Sequence, residues 1–363
     1  MAPLLTEESV GRRRSYRWSG RPSGPTSSWA APGAAARRRS LQAALGGPDP
    51  VDILVVMDPL EGCDPVTDTS IGLMAAALER GHHVRCATAG DVSLIGGRLV
   101  VTARSVTSDG GTLVPDGPVT VDVGGSDVVL VRTDPPVDAA YLALTLLLEH
   151  VRGRALVVND PRGLREANEK LYACRFPELM PPTVVTADRA LLLGFAEEHD
   201  GAVLKPLDGH GGHGVRLVRT GDAGAAEEVD TATSAGTVQV MAQAYLPGVH
   251  DGDRRILLLD GEPLGVLLRR PAPGEFRANL GLGATAEVVD LDDGDRRIVE
   301  ALAPALRADG LWFVGIDVID GRLSEVNVTS PTGLRQLADL TGTRPDLAVV
   351  GWLEERVASG AGR

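Results

Sequence analysis

The pattern of apolar and polar residues along the chain predicts strands that alternate with helices. The first block, 51–57, is apolar except at Asp52, which is typical of a strand buried on both faces. A helix is predicted at 70–80, behind a capping sequence and before Gly81. The same alternation continues with strands at 83–87, 127–132 and 155–159 and a leucine-rich helix at 141–151. Strands that alternate with helices predict a mainly parallel sheet and an α/β fold.

The second half of the chain has shorter strands and more turns. A polar helix is predicted at 164–175, and a helix with a loop at 221–237. Single strands are predicted at 203–206, 215–218 and 238–245. Two hairpins, 254–260 with 263–270 and 311–319 with 322–328, flank a loop-like stretch at 271–287 and a helix at 296–309.

Composition narrows the class of protein. Residues 1–50 hold eight arginines against three acidic residues and have no periodic pattern, so a disordered basic tail is predicted there. The net charge of −13 argues against a nucleic-acid partner. No apolar stretch reaches the ~18 residues of a membrane span. Three cysteines without a CxxC pair are typical of a reducing compartment, the cytoplasm.

Lysine and asparagine are scarce. Of 36 basic residues only two are lysine, Lys170 and Lys205, in a chain whose bias otherwise favours arginine. Lysine presents a compact point charge that the planar guanidinium does not reproduce, which indicates a specific role for both. The four asparagines are Asn159, Asn168, Asn279 and Asn327.

A glycine-rich segment follows Lys205. It contains Gly209, Gly211 and Gly212, whose backbone N–H groups can approach an anion. Because no G-x-x-x-x-G-K-[ST] motif is present, the strand–loop–strand pattern predicts a flap over nucleotide phosphates rather than a P-loop. A flexible surface loop is the alternative for this segment taken alone. His210 and His213 flank two of the glycines, but no further ligand is at zinc spacing.

Two further groups carry candidate chemistry. Glu325 and Asn327 share one face of a predicted strand, and a three-residue turn would set Asp317 opposite Glu325, whereas a two-residue turn would not. These hard oxygen ligands, completed by phosphates, suit Mg²⁺, with a solvated hairpin face as the alternative. Arg269, Arg277 and Asn279 lie on a glycine-flanked segment that can close on a carboxylate or a phosphoryl group, or form an ordinary exposed loop.

Taken in order, seven motifs resemble the bacterial glutathione synthetases of the ATP-grasp superfamily. The resemblance runs from about residue 51 to the C-terminus with nearly preserved spacing. The motifs are 56–59 (VMDP), 132–136 (RTDPP), 168–171 (NEKL), 205–212 (KPLDGHGG), 241–247 (MAQAYLP), 251–255 (DGDRR) and 325–332 (EVNVTSPT). An ATP-grasp fold preceded by an N-terminal, mainly parallel α/β domain is implied. The implied partition is the tail at 1–50, a substrate domain at 51–160, a small lid subdomain at 161–245 and a catalytic subdomain at 246–358.

The resemblance also implies roles for individual residues. Lys170, Lys205 and the glycine loop would hold the ATP phosphates, Gln243 with the backbone of Tyr245 and Leu246 the adenine, and Asp253 the ribose. Asp317, Glu325 and Asn327 would bind Mg²⁺, with Mn²⁺ as the alternative. Arg269, Arg277 and Asn279 would contact phosphate or substrate, and Arg132 and Ser330 the carboxylates of γ-glutamylcysteine or glycine.

The implied reaction is ATP-dependent ligation of γ-glutamylcysteine and glycine through an acylphosphate, in a homo-oligomer, with a tetramer expected. Two departures from the family pattern are present. The stretch 281–286 (GLGATA) stands where paired glycines and an arginine are usual, and Thr133 where a lysine is common. The first departure favours an alternative, an ATP-grasp ligase that makes a different small peptide or natural product. A nucleotide-binding regulator without turnover is a third hypothesis, against which the intact lysines and carboxylates argue.

Overall fold

The computed structural model of the protein describes residues 49–360. The predicted disordered tail at 1–50 therefore lies outside the described residues, except for its last two. Between residues 49 and 360 the strands form three sheets, and eight helices pack on them. None of these helices is long and apolar enough to cross a membrane.

The first sheet contains seven strands in a mixed arrangement. They are β1 (Asp52–Met57), β2 (His83–Ala87), β3 (Val92–Ile95), β4 (Arg98–Asp109), β5 (Thr112–Asp122), β6 (Val128–Arg132) and β7 (Leu156–Val158). The order is β3-β4-β2-β1-β6-β7, and β5 pairs with β4. Strands β2, β1, β6 and β7 are parallel, which confirms the predicted parallel sheet. Strands β3, β4 and β5 add an antiparallel half that the sequence analysis did not assign.

Three helices connect and cover this sheet, α1 (Thr69–Glu79), α2 (Ala139–Leu148) and α3 (Pro161–Glu166). The carboxylate of Asp68 accepts hydrogen bonds from the N–H groups of Ser70 and Ile71, so that it caps the start of α1. Gly81, with φ +81°, ends the helix as predicted. Residues Asp134 and Pro135, just past the end of β6, line the cavity of the candidate site. The carboxyl end of the parallel sheet thus faces that site.

The second sheet is small and antiparallel. Its strands are β8 (Thr183–Thr186), β9 (Ala202–Pro206), β10 (Arg216–Val218) and β11 (Val240–Ala244), in the order β10-β9-β11-β8. Two helices, α4 (Arg189–Glu198) and α5 (Ala225–Ala232), cover one face. Leu192 and Val229 from these helices pack with Leu204 and Ala242 of the strands in one apolar cluster. The other face is therefore free to carry polar side chains toward a ligand.

The third sheet is also antiparallel and follows directly. Its strands are β12 (Asp253–Leu259), β13 (Glu262–Arg270), β14 (Thr285–Val289), β15 (Phe313–Ile319) and β16 (Arg322–Asn327), in the order β14-β13-β12-β15-β16. The helices α6 (Asp293–Ala308), α7 (Leu334–Thr341) and α8 (Pro345–Ser359) complete the chain. Val350 and Leu353 of α8 pack with Ile53 and Val55 of β1. The C-terminal helix thus joins the first sheet, while the domain boundaries stay a prediction.

Two predicted elements were wrong in part. The helix expected at 164–175 ends at Glu166, because the side-chain oxygen of Asn168 accepts from the N–H groups of Lys170 (3.1 Å) and Leu171 (3.0 Å) and turns the backbone out of the helix. The loop expected at 271–287 ends early, because 285–289 pairs with β13 as strand β14. Both differences lie beside the candidate site.

Candidate active site

A cavity of about 350 Å³ lies between the second and third sheets. Of the seventeen candidate residues from the sequence, sixteen line it: Lys170, Lys205, Gly209, Gly211, Gly212, Gln243, Tyr245, Leu246, Asp253, Arg269, Arg277, Asn279, Asp317, Glu325, Asn327 and Ser330. Arg132 is not among the lining residues. Motifs that are far apart along the chain therefore meet around one space.

The two lysines reach this space from the second sheet and from the turn that Asn168 makes. Lys170 Nζ donates to the carbonyl of Gly209 at 2.6 Å and to Glu325 Oε1 at 3.0 Å. Lys205 Nζ donates to Ser324 Oγ at 2.7 Å. Burial lowers the pKa of Lys205 because desolvation disfavours the ammonium form, although Glu325 acts against this shift. Both ammonium groups are positioned by the third sheet before any ligand binds.

The predicted pairing of Asp317 with Glu325 is present, but by a different route. The turn between β15 and β16 has two residues, Asp320 and Gly321, which would not set the two carboxylates opposite each other. A bulge at Ser324 inserts one extra residue, and Asp317 then pairs with Glu325. Ser324 Oγ also accepts the hydrogen bond from Lys205, so the bulge positions this acceptor for the lysine as well.

Four charged side chains on β12, β13 and β15 form a buried network, here called the charged floor: Asp253, Arg255, Arg269 and Asp317. Arg255 donates to Asp317 through Nε at 2.5 Å and Nη2 at 3.0 Å. Arg269 Nη2 lies 2.6 Å from Asp253 Oδ2 and 3.0 Å from Asp317 Oδ1. Each charge therefore has an opposite partner inside the sheet.

The charged floor sets the protonation of its members. Burial raises the pKa of Asp253 to about 6, with Arg269 opposing the shift and Asp317 adding to it. Burial alone would also raise the pKa of Asp317, but the charges of Arg255 and Arg269 outweigh it and hold the pKa well below its usual range. Asp253 Oδ1 and Arg269 Nε have no hydrogen-bond partner among the described residues. Both are buried polar atoms whose hydrogen-bonding capacity the described residues leave unused.

The donor set fits a hard divalent cation that shares its shell with a ligand. No group of three His, Cys, Asp or Glu side chains within 49–360 could hold a metal alone. Asp317 and Glu325 supply two carboxylates, and Asn327 uses its amide nitrogen toward Gly315 O (3.1 Å) and Asp317 Oδ2 (3.3 Å). Its amide oxygen, the atom that can bind a cation, lies outside both bonds. Mg²⁺ typically takes one or two carboxylates and completes its shell with phosphates and water.

The end of β11 and the segment that follows it provide a buried amide and main-chain groups. Gln243 Nε2 donates to the carbonyl of Ser324 at 3.4 Å. The N–H of Tyr245 donates to Gly201 O at 3.0 Å, and its hydroxyl pairs with His250 Nε2 at 2.8 Å. The N–H of Leu246 has no hydrogen bond among the described residues, so it remains available to a heterocycle. The binding of adenine along this edge stays a prediction.

Two loops close the cavity from outside and are here called the lid: residues 209–214 and 275–282. Arg277 Nη1 donates to the carbonyl of Gly212 at 3.0 Å, and the same guanidinium pairs with Glu275 at 2.6 Å. Hydrogen bonds from Arg277 hold the pKa of Glu275 down, at about 2. Asn279 also faces Gly212, where a Cβ would lie 2.5 Å from Asn279 Oδ1. The lid residues therefore contact one another across the cavity.

Arg132, predicted to contact substrate, is not among the residues that line the cavity, and its bonds support the cavity wall. Its Nε donates to Ser70 Oγ at 3.1 Å and its Nη2 to the carbonyl of Pro331 at 3.0 Å. Its Nη1 is buried without a partner among the described residues. Because Pro331 follows Ser330, Arg132 fixes the loop that carries the predicted substrate residue.

Sequence reasoning missed three residues that complete the site. Arg255 shares a strand face with Asp253, and this two-residue spacing was a usable signal. Glu169 Oε1 accepts from Val328 N (3.0 Å), Thr329 N (3.1 Å) and Thr329 Oγ1 (2.8 Å), which anchors the strand end that carries Asn327. Ser324 was not predicted, because the bulge depends on tertiary packing and no local sequence pattern indicates it.

A mixed α/β sheet followed by two antiparallel sheets around a cavity of lysines, arginines and carboxylates defines an ATP-grasp ligase fold. Solved structures share this fold. The chain aligns with D-cycloserine synthetase DcsG at a TM-score of 0.60 and 19% identity, over 84% of this chain and 99% of that one. It also aligns with the ATP-grasp ligase PsnB complexed with a phosphomimetic minimal precursor, Mg and ADP, at a TM-score of 0.57 and 19% identity, over 85% and 99% of the two chains.

The chain belongs to the prokaryotic glutathione synthetase family. Residues 51–165 match the family's N-terminal domain and residues 169–342 match its ATP-grasp domain. It is 41% identical to the glutathione synthetase of Synechocystis sp. over 83% of this chain and 98% of the relative. The glutathione synthetases of Parasynechococcus marenigrum (46% identity, 79% and 94% covered) and Bradyrhizobium diazoefficiens (40%, 83% and 96%) are similar too.

Proposed function

We propose that the protein joins γ-glutamylcysteine and glycine to form glutathione at the expense of ATP. The C-terminal carboxylate of the dipeptide takes the γ-phosphoryl group, and ADP leaves. The amine of glycine then attacks the acylphosphate carbon, the C–O bond to phosphate breaks, and the amine proton is released. No nucleophilic side chain is needed, which agrees with a cavity of cations and carboxylates without a catalytic triad.

One observation carries the proposal. The chain belongs to the family, and both of its lysines contact residues of the same cavity, Glu325 and Ser324. Lys170 and Lys205 would exchange these partners for the phosphates of ATP. The unpaired atoms Asp253 Oδ1 and Arg269 Nε would bind ligand groups deeper in the cavity, the former at the ribose. Arg269 and Arg277 supply positive charge toward the transferring phosphoryl group.

Asp317, Glu325 and Asn327 would hold Mg²⁺, which when bound neutralises charge on the β- and γ-phosphates. The chain's own residues orient the reactants around that charge. Glu169 fixes the end of β16, Arg132 fixes the loop of Ser330, and the lid excludes water from the acylphosphate. We also propose a cytoplasmic homo-oligomer, with a tetramer as the expected form, which light scattering of the purified chain would test.

The stretch 281–286 supports a second candidate, an ATP-grasp ligase that joins another acid and amine. Gly281 and Leu282 line the cavity, and the chain enters β14 at Thr285, where the family usually has an arginine in the loop. The lid therefore lacks one guanidinium that would otherwise face a substrate carboxylate. A change of acceptor or donor would follow from that loss.

One experiment separates the two. The full chain is incubated with ATP and Mg²⁺, with γ-glutamylcysteine or one of a panel of other acids, and with glycine or one of a panel of other amines. ADP and products are measured by coupled assay and mass spectrometry. Glycine-dependent ADP release with glutathione as product supports the first proposal. ADP release only with another amine or acid would reject it in favour of the second. ATP binding without turnover on any pair would reject both.

A further inference from the structure

Two histidines flank the tip of the glycine loop in the lid. His213 N donates to the carbonyl of His210 at 3.0 Å, and Gly211 and Gly212 between them have φ of +60° and +78°. These values define a tight turn that requires glycine at both central positions. The rings of His210 and His213 lie 5.8 Å apart between centroids, and both residues line the cavity. Neither has a place in the reaction described above.

One ring nitrogen of His213 is already assigned by its contact. His213 Nδ1 lies 3.0 Å from the carbonyl oxygen of His210. Because a carbonyl oxygen can only accept, Nδ1 must carry the hydrogen. The other nitrogen, Nε2, therefore has a bare lone pair in the neutral ring and carries a hydrogen only in the imidazolium. A neutral His213 cannot donate a hydrogen bond to an anion in the cavity.

The charges around the turn are mutually compensated in the absence of ligand. Lys170, which holds the carbonyl of Gly209 at 2.6 Å, also pairs with Glu325 at 3.0 Å. Arg277, on the facing loop of the lid, pairs with Glu275 at 2.6 Å. His210 is a further titratable group in contact with His213. A polyphosphate placed beneath the turn adds negative charge to this surrounding.

We propose that His213 binds the nucleotide phosphates as an imidazolium, so that nucleotide binding is coupled to proton uptake by this chain. The inference rests on the proposed use of ATP at the same site. The fixed Nδ1–H bond leaves Nε2 as the donor, and only the protonated ring can make that contact. Imidazole changes its charge between about pH 5 and 8, so the coupling acts in the physiological range.

Isothermal titration calorimetry of the full chain with AMPPNP and excess Mg²⁺ tests the coupling. Titrations at pH 8 in two buffers of different ionisation enthalpy give the number of protons taken up on binding. The wild type is expected to take up more protons than His213→Gln, whose amide cannot be protonated. His210→Gln is the matched control and is expected to keep the wild-type proton number. Subtracting the proton number of a variant from that of the wild type removes the protons that the nucleotide itself contributes.

Affinity provides an independent readout. At pH 7, His213→Gln is expected to bind AMPPNP about fivefold to tenfold more weakly, the loss of one exposed charge-assisted hydrogen bond. The ratio is expected to fall toward one as the pH is raised to 9, because forming the imidazolium then requires a proton from a more dilute pool. A ratio of AMPPNP affinities that grows with pH would overturn the inference. It would mean that the lone pair of Nε2 accepts from a cation.

Other outcomes also decide the matter. Equal proton numbers in the wild type and His213→Gln, or a loss of uptake in His210→Gln instead, would overturn the role of His213 and leave the proposed ATP-dependent reaction standing. Failure of the wild type to bind AMPPNP at all would overturn both. The two results are distinguishable in the first titration.

Discussion

The charged floor and the lid enclose the same cavity but are built in opposite ways. The floor consists of strand residues whose side chains are 5–12% exposed, and every carboxylate in it meets a guanidinium within 3.0 Å. The lid consists of loop residues whose contacts are few, such as the bond from Arg277 to the Gly212 carbonyl. The floor can therefore hold its geometry before a ligand binds, whereas the lid can open and close.

This difference predicts separate effects on stability and activity. A buried ion pair is costly to break because the remaining charge has no water around it. A partly exposed lid contact contributes less to the free energy of unfolding, although its geometry matters when the cavity closes. Substitutions in the floor should therefore lower both stability and activity, and substitutions in the lid should lower activity alone.

The largest effect is expected for Asp317→Asn in the floor. The change removes the shared partner of Arg255 and Arg269, so we expect the free energy of unfolding to fall by ~3 kcal/mol and turnover to be lost. Urea denaturation and the coupled ADP assay measure the two effects. Asp320→Asn, in the turn of the same hairpin, is the control and should remain near wild type because asparagine tolerates its φ of +51°.

The stability gap caused by Asp317→Asn should depend on pH. The pKa of Asp317 is lowered in the folded state, so its stabilising contribution is present above the unfolded value of about 3.9 and is lost as pH falls toward the folded value. The gap between wild type and variant should thus be constant near neutrality and shrink in acid. A gap that widens below pH 4 would contradict the ion-pair account of the floor.

Lys205→Ala should separate activity from stability most sharply. The burial that lowers the pKa of Lys205 disfavours its charge, so removing the ammonium should leave the unfolding free energy within ~1 kcal/mol of wild type. Turnover should fall by about 1000-fold, because one cation at the transferring phosphate is lost. Lys205→Arg keeps the charge on a wider group and should recover only part of the rate. Near-normal turnover in the alanine variant would exclude the assigned role.

Arg277→Ala should affect the lid only. We expect kcat/KM to fall about 10- to 100-fold through loss of a guanidinium beside the phosphates, with an unchanged melting temperature. Arg270→Ala is the matched control. This residue is seven positions earlier, pairs with Glu287 at 2.7 Å and is not among the lining residues of the cavity. If both variants lose the same activity, or if Arg277→Ala unfolds earlier, the contrast between floor and lid would fail.

The fold was predictable wherever burial left a local pattern. The apolar run at 51–57 became β1 because both faces of the parallel sheet are covered. Strand β5 was missed because Pro115, Gly117 and Pro118 are typical of a turn. These prolines are tolerated since β5 is an edge strand that pairs with β4 alone. Tertiary pairing overrode the local signal.

The site was predictable in its residues but not in its geometry. The scarcity of lysine pointed to Lys170 and Lys205, and both line the cavity. The alignment of Asp317 with Glu325 was expected from turn length, yet it arises from the bulge at Ser324. The substrate contact of Arg132 stays a prediction, and its bond to the Pro331 carbonyl had no signal in the sequence. Such contacts depend on how neighbouring elements pack, and a single sequence does not show that packing.

Gly212→Ala is expected to have the smallest effect and to test how tightly the lid closes. The new Cβ would lie 2.5 Å from Asn279 Oδ1, and the φ of +78° would be strained for alanine. That strain is at the low end of ~1–3 kcal/mol, about 1 kcal/mol, so kcat/KM for ATP should fall about fivefold to tenfold while the floor keeps the fold stable. Gly281→Ala is the matched control in the other loop, because no atom lies within 4 Å of its Cβ. Equal kinetics for the two variants would mean that the loops do not meet during turnover, and that the lid closes through other residues.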